Sequence, residues 1–230
     1  AQLYCGESGS TLRFLLPVAC ALGINAQFYP EGRLPNRPLS PLREELINHG
    51  CSVDSVGTVP FKTSGRLRGG KFEIAGNVSS QYITGLLFAL PLLEENSEIH
   101  IVGKLESRPY VDMTLEVLTH FGVDIKVVSD SLIFIGGNKN FRHPDGMLSF
   151  RADGDWSNAA FWLTAGAIGN NPVCVTGLRI DSAQGDKAVL DILKRFGATV
   201  SVVKSISHTD NNLCDITVLP SDLHGIEIDA

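Results

Sequence analysis

The sequence predicts an α/β fold of mixed sheets in which one unit recurs three times. Three observations carry that prediction. Amphipathic helices close on Gly50, Gly122 and Gly197, 72 and then 75 residues apart. A short β-branched run follows each of these glycines. A further helix and strand precede each glycine-terminated helix, so every copy reads helix–strand–helix followed by two or three strands.

In the first copy, Leu12, Leu15, Leu16 and Ala19 form one apolar stripe at helical spacing. The strand Gln27-Phe28-Tyr29 comes next, then the helix ending Leu46-Ile47-Asn48-His49-Gly50, then the run Cys51-Ser52-Val53. The second copy repeats this order: a helix with Ile83, Leu86, Leu87 and Leu90 in a stripe, the strand Glu98-Ile99-His100-Ile101-Val102, the helix end Leu118-Thr119-His120-Phe121-Gly122, and the run Val123-Asp124-Ile125-Lys126-Val127-Val128. In the third, a helix near 157–168 is apolar almost all round and is expected to be buried. It precedes Val173-Cys174-Val175, the helix end Leu193-Lys194-Arg195-Phe196-Gly197 and the run Ala198-Thr199-Val200-Ser201-Val202-Val203. Glycine adopts the left-handed cap cheaply, which is why it closes each helix. Residues 149–155 cluster Gly and Asp after a strand and form the expected crossing between domains.

Composition narrows the function. At 43% hydrophobic over 230 residues the chain can build a packed core, burying roughly 70% of its unfolded surface. Lys and Arg number 19 against 25 Asp and Glu, a net charge of −6. That argues against a broad nucleic-acid surface while leaving room for local arginine clusters that bind anions. No apolar run reaches the roughly 18 residues of a membrane span, and no signal-peptide pattern opens the chain. The five cysteines lack metal-ligand spacing and read as buried small hydrophobes of a reducing cytosol. The expected location is cytoplasmic. The chain opens without Met and stops in a strand-like run, so it is expected to be a piece of a longer protein.

Four segments could carry chemistry. Gly6-Glu7-Ser8-Gly9-Ser10-Thr11-Leu12-Arg13 feeds a helix whose free N–H groups and dipole suit a phosphate or carboxylate, with Arg13 one turn in. The alternative is a plain Ser N-cap, and the lysine of a P-loop is missing. Ser79-Ser80-Gln81 opens the second copy's helix at the equivalent place, and Asp155-Trp156-Ser157-Asn158 opens the third's. Hydroxyls and an amide there can bind a phosphate and a neighbouring hydroxyl, or can cap the helix. Arg33 and Arg37 lie on a stiff Pro- and Gly-containing loop, either as an anion clamp or as surface arginines. Ser107-Arg108-Pro109-Tyr110 is either a capping motif or a hydroxyl, a cation and a phenol facing one cleft. The six histidines show no paired spacing, and the sequence offers no nucleophile–base pair and no metal set.

Taken in order, Ser8-Gly9-Ser10-Thr11-Leu12-Arg13, Asn36-Arg37-Pro38-Leu39, Gly76-Asn77-Val78-Ser79-Ser80-Gln81-Tyr82, Ser107-Arg108-Pro109-Tyr110, Gly154-Asp155 and Gln184-Gly185-Asp186 resemble the enolpyruvyl transferases, and among them the 5-enolpyruvylshikimate-3-phosphate synthases. The resemblance implies an inside-out α/β barrel fold: two similar domains of three βαβαββ units each, with substrates in the cleft. It assigns residues 1–152 to two units of the shikimate-phosphate-binding domain, and 153–230 to the first unit of the other domain. It implies transfer of the enolpyruvyl group of phosphoenolpyruvate to the 5-hydroxyl of shikimate 3-phosphate, with release of phosphate and no cofactor. Gly9, Arg37 and Gln81 are then expected to contact phosphoenolpyruvate. Ser79, Ser80, Gln81, Ser107 and Tyr110 are expected to contact shikimate 3-phosphate. Arg13 is expected to support the first loop, and Arg108 is a second supporting residue.

The departures from that family pattern concern catalysis. The Lys-Ser motif and the Asp in an Ile-Pro-Asp context are absent, and Asp229 has no such context. The piece by itself is therefore expected to be inactive, with the N- and C-terminal parts of its own chain as missing partners. Two rival readings stand beside this one. The sister enzyme acting on UDP-N-acetylglucosamine often carries a reactive Cys in the loop matching residues 29–38, which has none here. A non-catalytic phospho-metabolite-binding module would lack the flanking Lys-Ser and Ile-Pro-Asp motifs in its full reading frame.

Overall fold

A computed structural model of the chain describes residues 1–137, 152–205 and 212–228. The chain divides into two compact units, Ala1–Leu148 and Ser149–Ala230. Residues 149–151 of the expected crossing, and Asp229, lie outside the described residues.

The first unit holds two complete βαβαββ copies. The first runs β1 (Gln2–Gly6), α1 (Gly9–Leu22), β2 (Ala26–Pro30), α2 (Leu42–Asn48), β3 (Cys51–Val53) and β4 (Phe61–Gly65). The second runs β5 (Gly70–Ala75), α3 (Ser80–Ala89), β6 (Ser97–Val102), α4 (Arg108–His120), β7 (Ile125–Ser129) and β8 (Leu132–Ile135). Their sheets have the orders β1-β2-β4-β3 and β5-β6-β8-β7. In both, the first pair is parallel and the others antiparallel, and that mixture follows from having two crossover helices and one hairpin per copy. Strands alternate: Phe28, Phe61, Cys51 and Val53 point to the core, while Lys62 and Ser52 face outward.

The helices start and stop where local chemistry dictates. Ser8 caps α1 by accepting from the Thr11 N–H, and Ser79 caps α3 by accepting from the Gln81 N–H. Gly50, Gly122 and Gly197 all take positive φ just past α2, α4 and α6 (Val189–Arg195), as the sequence predicts.

Helices α1 and α3 pack face to face, and a glycine sets their separation. A methyl group on Gly85 would lie 2.3 Å from the carbonyl oxygen of Arg13 and 3.2 Å from Cγ of Pro17. Pro17 lacks the N–H that would bond that carbonyl, so the helix is open at the point where Gly85 approaches. Leu16, Ile83, Leu86 and Leu87 are fully buried around this contact. Each such side chain contributes about 1.5–3 kcal/mol of transfer free energy.

The second unit contains α5 (Trp156–Ile168), β9 (Val173–Arg179), α6, β10 (Thr199–Lys204) and β11 (Leu213–Leu219), with sheet order β10-β11-β9. This matches the β3-β4-β2 portion of the first copy. Two expectations need correction here. Helix α5 is not buried all round: Trp156, Ala159 and Leu163 face the core, but Phe161, Trp162 and Ile168 are 77, 64 and 70% exposed. A single sheet can cover only one helix face, whereas in the first unit α1 and α3 also cover each other. Cys174 is exposed because it occupies an outward position of β9; the other four cysteines are buried.

Candidate functional site

The start of α1 is where charge collects. Ser8 closes one of the free N–H groups, on Thr11, so the alternative reading as a cap is realised. The N–H groups of Gly9 and Ser10 remain without an intrahelical acceptor, as the first turn of any helix leaves them. A Cβ placed on Gly9 would lie 3.2 Å from Nη1 of Arg13, 3.2 Å from Nη1 of Arg37 and 3.5 Å from Oε1 of Gln81. Three residues separated widely in sequence thus meet at one bare backbone position.

Arg13, the residue expected to support the first loop, lies against Gly9 of that loop and also reaches two distant segments. Its Nη1 donates to Oε1 of Gln81 at 2.7 Å, and its Nη2 donates to the Pro38 carbonyl at 3.1 Å. Its guanidinium also lies over the ring of Tyr82, 5.4 Å from the centroid. It is only 5% exposed, and its Nε has no hydrogen-bond partner among the described residues. Burial lowers the Arg13 pKa from its ordinary value; Arg37 acts in the same direction, and Tyr82 partly offsets both. The group remains a cation, because guanidinium pKa values are very high. Neither Arg13 nor Arg37 forms an ion pair among the described residues. A buried positive charge beside a second one and a helix N-terminus is costly unless an anion joins them.

Because guanidinium groups only donate, the Gln81 atom facing Arg13 must be its oxygen. Gln81 and Ser80 line a cavity of about 480 Å³ together with Ser10 and Tyr110. Phe14 and Phe88, which meet edge-on at 5.5 Å, line the same cavity. On its wall Thr114 donates to the Tyr110 carbonyl, so the Thr84 hydroxyl 3.1 Å away is the donor to Thr114.

The remaining expected residues are placed less centrally. The Ser79 hydroxyl is occupied as the α3 cap. Ser107 stands at the cap position of α4 without a side-chain capping bond, and Tyr110 sits one turn on, 51% exposed. Arg108 is committed to two carboxylates, Asp112 at 2.8 Å and Asp130 at 3.1 Å, and the Asp112 hydrogen bond leads in raising its pKa. Arg33 is exposed at the start of a short 3₁₀ turn spanning Leu34–Asn36.

The third copy's counterpart closes itself. Asp155 accepts from the Ser157 N–H at 2.9 Å and also from Asn158. Gln184 accepts from the Trp156 N–H at 2.8 Å and donates to the Gly154 carbonyl at 3.0 Å. That helix end therefore carries its own carboxylate, unlike α1 and α3. The same contacts tie the Gly154-Asp155 and Gln184-Gly185-Asp186 segments together. Among the described residues no group of three or more His, Cys, Asp or Glu could hold a metal ion, and no helix is long and apolar enough to cross a membrane.

Residues 1–229 match the profile of EPSP synthase, described as 3-phosphoshikimate 1-carboxyvinyltransferase. The chain belongs to this family. A 3-phosphoshikimate 1-carboxyvinyltransferase of Clostridium novyi is 40% identical over 227 residues, which cover 98% of this chain and 49% of that protein. This chain thus spans about half the length of the curated relatives it matches. The solved EPSP synthase of Acinetobacter baumannii superposes with a TM-score of 0.72 at 22% identity, over 100% of this chain and 51% of that one. The enolpyruvyl transferase NikO of Streptomyces tendae gives a TM-score of 0.61 at 20% identity, over 91% of this chain and 47% of that one. At those identities the two structures speak for the fold alone, and they agree with the mixed α/β units described above.

Sequence reasoning missed Tyr82 as a site component. Its only signal was adjacency to Gln81, because what it touches lies 44 residues earlier in the chain.

Proposed function

We propose that this chain supplies the substrate-binding half of an enolpyruvyl transferase, one that moves the enolpyruvyl group of phosphoenolpyruvate to the 5-hydroxyl of shikimate 3-phosphate and releases phosphate. The observation that carries this reading is the convergence of Arg13, Arg37 and Gln81 on Gly9 at the start of α1. Phosphoenolpyruvate would sit there, held by the N–H groups of Gly9 and Ser10, the Arg37 guanidinium and the amide nitrogen of Gln81. Shikimate 3-phosphate would occupy the adjoining cavity against Ser79, Ser80, Gln81, Ser107 and Tyr110, with Arg13 and Arg108 in supporting roles. Residues 1–152 form the shikimate-phosphate-binding portion in this reading, and 153–230 begin the second domain.

The chemistry asked of these residues is positioning. Two polyanions repel in water, and the fixed donors and cations bring the attacking hydroxyl and the enol carbon into contact. Proton transfer is assigned to residues beyond these 230, so the chain binds both substrates and turns over neither. Its partners are then those two small molecules and the remainder of its own chain.

An NMR titration with each substrate tests the assignment, run beside a Ser80→Ala, Gln81→Ala double variant. Saturable shifts at residues 79–81 and 107–110, lost in the double variant, are expected. A folded wild-type chain that shows no shifts with either compound refutes it. Enolpyruvyl transfer by the chain alone, above a protein-free blank, would overturn the division of binding from catalysis.

A further inference from the structure

Arg37 is the exposed member of the cation pair; on its N-terminal side the backbone is held by its own N–H donating to the Leu34 carbonyl at 3.1 Å and by the Gly57 N–H donating to the Pro35 carbonyl at 2.8 Å. Leu34 and Leu39 are buried and anchor the two ends of the segment, leaving residues 35–38 between them. Within that stretch the Pro38 carbonyl is held twice: it accepts from the Tyr82 hydroxyl at 2.6 Å and from Nη2 of Arg13 at 3.1 Å. Proline has no N–H, so the carbonyl is the only polar atom through which Pro38 can be tied down.

Tyr82 is fully buried, and it comes from α3 of the second copy, one residue after Gln81. A phenylalanine would fill the same volume without a polar atom to satisfy, and a buried hydroxyl is tolerated only when it is bonded. Core packing therefore asks for the ring, and the hydroxyl answers to the loop. We infer that Tyr82 is a positioning residue of the anion site, whose hydroxyl anchors the Pro38 carbonyl and through it the neighbouring Arg37. A side chain of one repeat thereby sets the cation of the other. The inference rests on the reading of Arg37 as a clamp for phosphoenolpyruvate.

The test is Tyr82→Phe, which alters no charge and leaves the ring in place. In the unliganded chain the Pro38 carbonyl carbon resonance should move and backbone relaxation across residues 35–38 should quicken. The dissociation constant for phosphoenolpyruvate should rise about threefold to tenfold, the worth of one net hydrogen bond. In an Arg37→Ala background the same substitution should leave affinity unchanged, since the route through Arg37 is gone. An unmoved Pro38 resonance, or an equal loss of affinity without Arg37, refutes the anchor. If the wild-type chain does not bind phosphoenolpyruvate, the proposed function falls, and the Pro38 resonance alone decides the role of Tyr82.

Discussion

Replacing Gly9 by alanine would put one methyl group where two guanidinium tips meet. That methyl lies 3.2 Å from Nη1 of both Arg13 and Arg37. Ordinary contacts between such heavy atoms fall near 3.5–4.0 Å, so each tip must retreat by a few tenths of an ångström. Arg13 is pinned by Gln81 and Pro38, which leaves Arg37 to move. The backbone itself accepts alanine, because Gly9 is not among the glycines with positive φ. Helix propensity favours alanine by up to about 1 kcal/mol, less in a first turn. Stability should therefore hold or rise slightly. Binding should suffer, because the methyl occupies the space where an anion's oxygen would meet both the α1 N–H groups and Arg37. Losing one charge-assisted hydrogen bond costs about 1.5–3 kcal/mol, or roughly 10- to 150-fold in Kd. Calorimetric titration with phosphoenolpyruvate at fixed ionic strength, paired with thermal unfolding, reads both effects separately. A folded variant with wild-type affinity would show that the anion does not lie against Gly9.

Two further substitutions probe the scaffold. Gly85→Ala places a methyl 2.3 Å from the Arg13 carbonyl, so α1 and α3 must part by about 1 Å; we expect a net loss of about 2–4 kcal/mol despite the gain in helix propensity, and an unchanged urea midpoint would contradict the close approach. On α5, Phe161, Trp162 and Ile168 make an exposed apolar face, so the chain should self-associate at high concentration and Trp162→Lys should weaken that; a strictly monomeric wild-type profile in light scattering would count against it.

Much of the first unit was legible beforehand because its signals are local. Ser8 and Ser79 cap helices through N–H groups two or three residues ahead, and Gly50 and Gly122 end them within one turn. Such contacts are written into short stretches of sequence. The burial of α5 was misjudged because composition says how apolar a helix is, not how many of its faces find a partner. The exposure of Cys174 was missed for a related reason: residue type carries a preference for burial, while strand register decides it. The two meanings of each serine motif, cap or ligand contact, could not be separated in sequence, since the same hydroxyl serves both. At Ser79 the cap is made, and at Ser107 it is not.

The sequence by itself determined the repeating unit, the helix boundaries and the set of polar residues available at helix starts. These follow from periodicity and from interactions spanning a few residues. Only the tertiary structure decided which of those residues meet. Arg13 finds Gln81 across 68 residues, and Tyr82 finds Pro38 across 44. Those meetings depend on two helices of separate repeats packing at a distance that one glycine permits. No local rule fixes that distance, because it is set by what the side chains of both repeats leave room for once they share a core.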